Sequence, residues 1–126
     1  QIRRNGLILV EGYFDVARLV EAGFLNVGAL MGAYITDAQT DRLKFIDQQV
    51  AIARISLFLD RDQAGISGAE KAADLLERAG FCVHVFDWNR RFEKPDSTMI
   101  RIPETIKDAA DMSVHQLMWL HRQGII

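Results

Sequence analysis

The sequence predicts an α/β protein in which helices cover both faces of a central, parallel, four-stranded sheet. Short apolar runs alternate along the chain with segments whose apolar residues recur at helical spacing. These runs are continuous rather than alternately polar and apolar, which is typical of strands that are buried on both faces of a parallel sheet. Glycines and capping residues stand where the helices would begin and end.

The first half of the chain is predicted to form two strand–helix units. The strands are the apolar runs at residues 6–12 and 26–30. The helix after the first strand is expected to stop at Gly23. The second helix is expected to begin at a capping box, in which the side chains of Thr36 and Gln39 bond to each other's backbone N–H groups.

The third and fourth strands are predicted in the second half of the chain. Residues 54–60 form the most hydrophobic run and are the third strand. A helix is expected over residues 64–79, because apolar positions recur there at helical spacing and Gly80 follows as a stop. The run at residues 81–87 is the fourth strand.

After the fourth strand, the regular alternation of strands and helices ends. Residues 88–104 are polar and contain both prolines, so we expect a long loop with one short strand at 99–102. A last helix, over residues 113–123, begins at a second capping box. No composition shift marks a domain boundary, so residues 1–126 are predicted to form a single domain with its core at 6–112.

Composition excludes several classes of protein. Of the 126 residues, 49% are hydrophobic and 25% are charged, which argues against a mainly disordered chain. No apolar run approaches the roughly 20 residues of a membrane helix, and the single Cys82 excludes an internal disulfide framework. We therefore expect a cytoplasmic protein with no membrane partner. Because the net charge is only −2, any nucleic acid must be bound through a local basic patch or a cation. The chain begins with Gln, which is expected of a piece of a longer protein.

Acidic residues follow two of the predicted strands. In an open parallel sheet, ligands bind at the carboxyl ends of the strands, where the loops meet helix N-termini. Glu11 ends the first strand, Asp60 and Asp62 end the third, and a later loop carries Asp108 and Asp111. Clustered carboxylates repel one another and need a proton or a cation to neutralise them. Oxygen ligands without His or Cys favour Mg²⁺, for which Mn²⁺ is a substitute.

Each acid also has a purely structural interpretation. A helix cap is a common role for an acid at a strand-to-helix junction, and loop acids are often simply solvated. Glycines in the same segments are explained equally well by tight turns. These alternatives are a cap at Asp60, a cap at Asp15, solvated loop acids at Asp108 and Asp111, and turns at Gly12 and Gly65.

Two motifs nevertheless resemble those of the Toprim domain, and in particular the version in bacterial DnaG-type primases. Glu-Gly-Tyr-Phe-Asp at residues 11–15 is similar to the family's Glu-Gly-Tyr-x-Asp, and residues 60–65 match its Asp-x-Asp-x-Ala-Gly. Ile-Lys-Asp-Ala-Ala-Asp-Met, at 106–112, is similar to the segment that supplies further acids. The resemblance covers residues 6–112 and implies the Toprim, Rossmann-like, fold.

The resemblance also implies roles for individual residues. Glu11 would act as an acid, a base or a metal ligand, while Asp60 and Asp62 would be catalytic residues that hold Mg²⁺. Asp108 and Asp111 would add metal ligands. The supporting positions would be Asp15 beside the metal, with Gly12, Gly32 and Gly65 allowing the backbone to approach the site.

The implied reaction is primer synthesis by nucleotidyl transfer. Its substrates would be nucleoside triphosphates and a single-stranded DNA template, and its partners a replicative helicase and a zinc-binding module outside this chain. Two departures from the family pattern stand out: Ala109 replaces the usual proline, and the loop before it is long. A mobile-element or otherwise divergent primase-like protein would account for both.

That long loop is a candidate nucleic-acid interface. Basic residues interleaved with aromatic ones can bind phosphates and stack on bases. The alternative is a solvated surface insertion. The residues concerned are Arg90, Arg91, Lys94 and Arg101, with Trp88 and Phe92.

Two other functions remain open within the same fold. A metal-dependent nuclease would use the same acids with water as the nucleophile, and a non-catalytic interaction module would keep them as a structural metal site. A receiver domain would need a pair of acids after the first strand, whereas Gly12 follows Glu11. A haloacid-dehalogenase-type phosphatase normally carries its Asp-x-Asp after the first strand, not the third.

Overall fold

A computed structural model describes residues 2–126, and its centre is a sheet of four parallel strands. The strands are β1 (Leu7–Val10), β2 (Val27–Ala29), β3 (Ile55–Leu57) and β4 (Val83–Val85). They lie in the order β2-β1-β3-β4, so β1 and β3 are neighbours at the middle of the sheet. The predicted fold class is confirmed, although each strand is shorter than its apolar run.

Within residues 2–126, five α-helices surround this sheet. They are α1 (Ile2–Asn5), α2 (Tyr13–Glu21), α3 (Asp37–Gln49), α4 (Gln63–Arg78) and α5 (Val114–Arg122), and a 3-10 helix spans Ala109–Asp111. The sequence predicts α2 to α5 within a few residues. It does not predict α1 or the 3-10 helix, because a single turn is too short to show a hydrophobic period.

Alternate residues of β1 point to opposite faces of the sheet and define two hydrophobic layers. Ile8 and Val10 pack in one layer with residues of α2 and α5. Leu7 and Leu9 pack in the other with residues of α3 and α4. This two-sided burial explains why the apolar run is continuous.

Both capping boxes predicted from the sequence are present. At the start of α3, the Gln39 N–H donates to Thr36 Oγ1 at 3.1 Å, and the Thr36 N–H donates to Gln39 Oε1 at 2.9 Å. Ser113 and Gln116 form the same pair of bonds at the start of α5. Each box satisfies two N–H groups that a helix N-terminus otherwise leaves free.

The segment between β4 and the 3-10 helix contains an antiparallel hairpin. Its strands are β5 (Arg91–Glu93) and β6 (Met99–Arg101), with Phe92 opposite Ile100. The strand predicted at 99–102 is therefore confirmed in place. Its partner β5 was not predicted, because three residues with a single apolar side chain carry no periodic signal.

The prediction that Trp88 belongs to a nucleic-acid interface is wrong, because its side chain is buried. Its side chain is only 6% exposed, and its indole N–H donates to the Leu59 carbonyl oxygen at 3.0 Å. The ring packs against Phe58 and Phe86, with centroid distances of 5.5 and 4.9 Å. Phe92 is also buried, at 7% exposure. Neither ring is available to stack on a base, because the hairpin folds back onto the core.

Among the helices of residues 2–126, none is long and apolar enough to cross a membrane.

The burial of Trp88 predicts a large loss of stability for Trp88→Ala. We expect the free energy of unfolding to fall by about 3–5 kcal/mol, because the change leaves a cavity and an unpaired Leu59 carbonyl. Phe14→Ala, at a side chain 85% exposed, is the control and should change stability by less than about 0.5 kcal/mol. Urea unfolding of both variants measures the difference, and a Trp88→Ala variant as stable as wild type would contradict the burial.

Candidate metal centre

Glu11 and Asp60 meet at the carboxyl edge of the sheet. β1 and β3 are adjacent and in parallel register, so the residues that follow them leave the sheet side by side. The Asp60 N–H donates to Glu11 Oε1 at 3.2 Å. A contact between residues 49 positions apart is therefore fixed by the pairing of the two central strands.

Asp15 reaches the same edge from the first turn of α2. It is 6% exposed, and its Oδ2 accepts the Gly12 N–H at 3.2 Å. Its Oδ1 accepts the Ala110 N–H at 3.0 Å, across 95 positions of sequence. Gly12, not Asp15, is the N-cap residue of α2, although Asp15 contributes a capping-box bond from the third helical position. The carboxylate also ties α2 to the 3-10 helix.

Asp108 completes a cluster of three carboxylates. It is the N-cap residue of the 3-10 helix, and its Oδ1 accepts the Asp111 N–H at 2.8 Å. One carboxylate oxygen each from Asp15, Asp60 and Asp108 lies within 4.8 Å of the other two. Three separate segments of the chain therefore bring their acids to one place.

Asp62 and Asp111 lie outside that cluster. Asp62 is exposed and is the N-cap residue of α4, where its Oδ1 accepts the Gly65 N–H at 2.6 Å. The alternative that Asp60 caps the following helix is therefore wrong, because Asp62 is the residue that caps α4. Asp111 is exposed, and its Oδ2 accepts the Lys107 N–H at 2.8 Å. Metal binding by Asp62 and Asp111 remains a prediction.

Gly65 allows α4 to lie directly against the acids. A Cβ at this position would stand 2.9 Å from Glu11 Oε1 and overlap the Asp60 carbonyl, so only glycine fits without a shift of the backbone. A Cβ at Gly12 would meet only Asp15 Oδ2 at 3.8 Å, an ordinary contact, and one at Gly32 would meet nothing within 4 Å. Close packing within the chain therefore explains Gly65 alone among the three predicted glycines.

Two contacts near the acids were not predicted from the sequence. A Cβ at Gly68 would overlap the Ala33 carbonyl oxygen, so the second turn of α4 packs directly on the loop after β2. Arg61 bonds to backbone carbonyls of the segments before and after the hairpin. The spacing Gly-x-x-Gly at residues 65–68 could have indicated the close packing at Gly68. No local sequence pattern indicates the partners of Arg61.

Burial and neighbouring charges raise the pKa of two acids in this cluster, Asp60 and Asp15. Partial burial, followed by the charges of Glu11, Asp15 and Asp108, raises the pKa of Asp60 from 3.8 to about 7. Burial also raises the pKa of Asp15, an effect opposed by the Ala110 N–H and reinforced by the charge of Asp108. Each change favours the neutral carboxyl, so the cluster gains from any added positive charge.

The donor set fits a hard divalent cation. Its members offer only carboxylate oxygens, and no His or Cys is among them. At separations near 4.8 Å, each pair of ionised carboxylates repels by roughly 1–3 kcal/mol at an effective dielectric constant between those of water and the protein surface. A cation bound among Asp15, Asp60 and Asp108 would attract all three carboxylates and so offset their repulsion. Mg²⁺ and Mn²⁺ both prefer carboxylate oxygens as ligands.

Comparison with known proteins agrees with the fold. A family model described as the Toprim domain matches residues 5–87, about two thirds of the chain. The chain belongs to the Toprim family. The matched residues contain Glu11, Asp15 and Asp60, whereas the hairpin, Asp108 and α5 follow the matched part.

The proteins similar to this Toprim chain include DNA primases. It is 39% identical over 84 residues to a DNA primase of Mycoplasma pneumoniae, covering 67% of this chain and 13% of that protein. It is 39% identical over 84 residues to a DNA primase of Aquifex aeolicus, covering 66% of this chain and 16% of that one. The chain thus spans a small part of these relatives.

A solved structure extends the similarity beyond the matched part. The crystal structure of the Aquifex aeolicus primase, comprising zinc-binding and RNA polymerase domains, superposes with a TM-score of 0.67 and 28% identity. The superposition covers 97% of this Toprim chain and 27% of the primase chain. The fold of a primase fragment is therefore shared along nearly the whole chain.

The raised pKa of Asp60 predicts a pH-dependent stability in the absence of divalent cations. The folded protein holds this proton more tightly than the unfolded chain does, so stability should be lost as the pH rises from about 4 through about 7. Asp60→Asn removes that loss, and the variant should be more stable than wild type at pH 8 in EDTA. The difference should shrink towards pH 4.

Urea unfolding at several pH values measures this difference. Asp41→Asn, which changes an exposed acid on α3, is the matched control and should follow the wild-type profile. Parallel profiles for wild type and Asp60→Asn would contradict the repulsion at Asp60.

Proposed function

We propose that this chain is the catalytic metal-binding core of a DNA primase, which makes a primer on single-stranded DNA by Mg²⁺-dependent nucleotidyl transfer. One observation carries the proposal: three segments of a Toprim chain related to DNA primases place carboxylates within 4.8 Å of one another, next to Glu11. A bound Mg²⁺, with Mn²⁺ as its substitute, supplies charge neutralisation and polarisation of phosphate oxygens.

Cation binding and proton transfer would be carried out by different residues of this site. Asp15, Asp60 and Asp108 would hold the cation, with Asp62 and Asp111 at its border. Glu11 is held beside Asp60 by the Asp60 N–H and lies against the first turn of α4. In this proposal Glu11 would accept or return a proton at the reacting hydroxyl, which is the role of a general acid or base.

The rest of the proposal concerns the chain's setting. Residues 1–126 would form one Toprim unit, and a replicative helicase and a zinc-binding module outside this chain would be its partners. The similarity to a primase structure that includes zinc-binding and RNA polymerase domains supports the second partner. DNA replication in the cytoplasm would be the setting.

Calorimetric titration with Mn²⁺ tests the metal site. Wild type should bind Mn²⁺, and Asp60→Asn should lower the affinity by about tenfold or more, because losing a ligand should cost at least as much as losing a residue that supports one. Asp41→Asn is the control and should bind as wild type does. If wild type binds no Mn²⁺, alone or with a nucleoside triphosphate, the catalytic proposal fails and the interaction module is favoured.

Activity separates the remaining alternatives. Nucleotide incorporation on single-stranded DNA, assayed with a primase zinc-binding module supplied, supports the primase, whereas metal-dependent nicking of DNA supports a Toprim nuclease. Glu11→Gln should keep most Mn²⁺ affinity and lose about 10²–10⁴-fold in turnover. Strong turnover in that variant would remove Glu11 from the mechanism.

The hairpin is the proposed contact for the template backbone. Arg90, Arg91 and Lys94 are exposed, as predicted, and Arg90 lies over the Phe92 ring at 5.5 Å. Arg91 stands directly opposite Arg101 in the strand register, a like-charged pair that destabilises a hairpin on its own. The ion pairs within residues 2–126 involve neither arginine. Both are free to bind phosphate, which arginine favours.

Binding of oligo(dT) across a salt series tests this interface. Replacing Arg91 and Arg101 with Ala should weaken binding and reduce the slope of log K against log salt by about 1.4, or about 0.7 for each lost phosphate contact. Replacement of Arg42 and Lys44, exposed on α3, removes the same charge elsewhere and is the control. An unchanged slope in the hairpin variant would support the solvated-insertion alternative.

A further inference from the structure

Arg61 stands between the two acids of the motif at residues 60–62, yet its side chain forms no ion pair with either of them. A basic residue at this position is expected to face the acids or a substrate phosphate. The guanidinium group turns instead towards the backbone of the segment that leads to Asp108.

Within residues 2–126, the hydrogen bonds of this side chain are all donated to main-chain carbonyls, and its guanidinium group also lies near one aromatic ring. Nη1 donates to the Pro103 oxygen at 2.8 Å, with longer contacts to Ile102 at 3.3 Å and Ile106 at 3.4 Å. Nη2 donates to the Trp88 oxygen at 3.3 Å, and the guanidinium carbon lies 5.5 Å from the Trp88 ring centroid. One side chain therefore binds the backbone on both sides of the hairpin.

The main chain of Arg61 holds the same segment. Its N–H donates to the Lys107 carbonyl oxygen at 2.6 Å, one residue before Asp108. Residues 102–108 form neither helix nor strand, so their carbonyl groups lack the partners that regular structure provides. Arg61 supplies several of those partners from the turn that carries Asp60.

We propose that Arg61 is a positioning residue, which holds Asp108 beside Asp15 and Asp60 and so assembles the metal site. The inference rests on the proposed function, because it assigns Arg61 a purpose at that site. The other end of the 108–111 segment is held from α2, where Asp15 accepts the Ala110 N–H and Arg18 donates to the Met112 oxygen at 3.1 Å. Arg61 fixes the end nearer the hairpin.

The planar guanidinium explains why arginine suits this position. It presents five N–H groups in a fixed fork, which reaches several carbonyls at once, whereas lysine has one compact ammonium group. Arg61→Lys keeps the positive charge near the acids and removes the fork. An effect of this variant on metal binding therefore reports geometry rather than charge.

Two measurements on the 126-residue chain test the proposal. Without metal, Arg61→Lys should speed hydrogen exchange at the Ala110 and Asp111 amides by about tenfold relative to the Phe58 amide in the sheet. In calorimetry, its Mn²⁺ affinity should fall by about 10–100-fold, the range for residues that support metal ligands. Faster exchange together with weaker Mn²⁺ binding supports the proposal.

Two control variants separate positioning from stability and from charge. Leu43→Ala creates a cavity in the layer on the other face of the sheet and should lower global stability with no selective change at Ala110. Arg78→Lys alters an arginine that pairs with Asp74 on the surface of α4 and should match wild type in both measurements. A selective effect in Leu43→Ala equal to that in Arg61→Lys would overturn the proposal.

Failure of this inference is distinguishable from failure of the proposed function. If wild type binds Mn²⁺ and Arg61→Lys binds it equally, Arg61 does not position the site, and the inference is overturned while the metal site stands. If wild type binds no Mn²⁺, the metal site is wrong, and with it the role of Arg61 in assembling one. The exchange data then still show whether Arg61 holds the segment.

Discussion

Electrostatic repulsion among carboxylates at one edge of the sheet is the constraint on which the rest of the structure depends. Asp15, Asp60 and Asp108 come from three segments and lie within 4.8 Å of one another. Ionised groups this close repel one another, and burial together with the neighbouring charges raises the pKa of Asp60 to about 7. The fold must therefore hold the acids together by other means.

Hydrogen bonds between distant parts of the chain supply that restraint. The Asp60 N–H binds Glu11, Asp15 binds the Ala110 N–H, and Arg61 holds the segment before Asp108. These bonds join residues 41 to 95 positions apart. Several are made to a charged group, and such bonds are stronger than those between neutral partners. The three acids are thus held close together despite their mutual repulsion, as the proposed cation site requires.

The hairpin, which follows the part of the chain that the family model matches, is anchored to the Toprim core. The Toprim family model matches residues 5–87, which contain the parallel sheet and two of the three clustered acids. The hairpin lies beyond this part, but Trp88 and Phe92 anchor it in the core and Arg61 binds its base. Its aromatic residues thus contribute stability, whereas its exposed arginines carry the charge available to a polyanion.

The sequence by itself determined the α/β fold, the two capping boxes and the acids at the strand ends. Those features follow from hydrophobic period and from hydrogen bonds within four residues, both of which are local. Tertiary structure alone decided that Asp15 joins Asp60 and Asp108, and that Trp88 is buried. Each of these features depends on which distant segment of the chain packs against the residue concerned. Strand pairing and long-range contacts bring those segments together only when the chain folds.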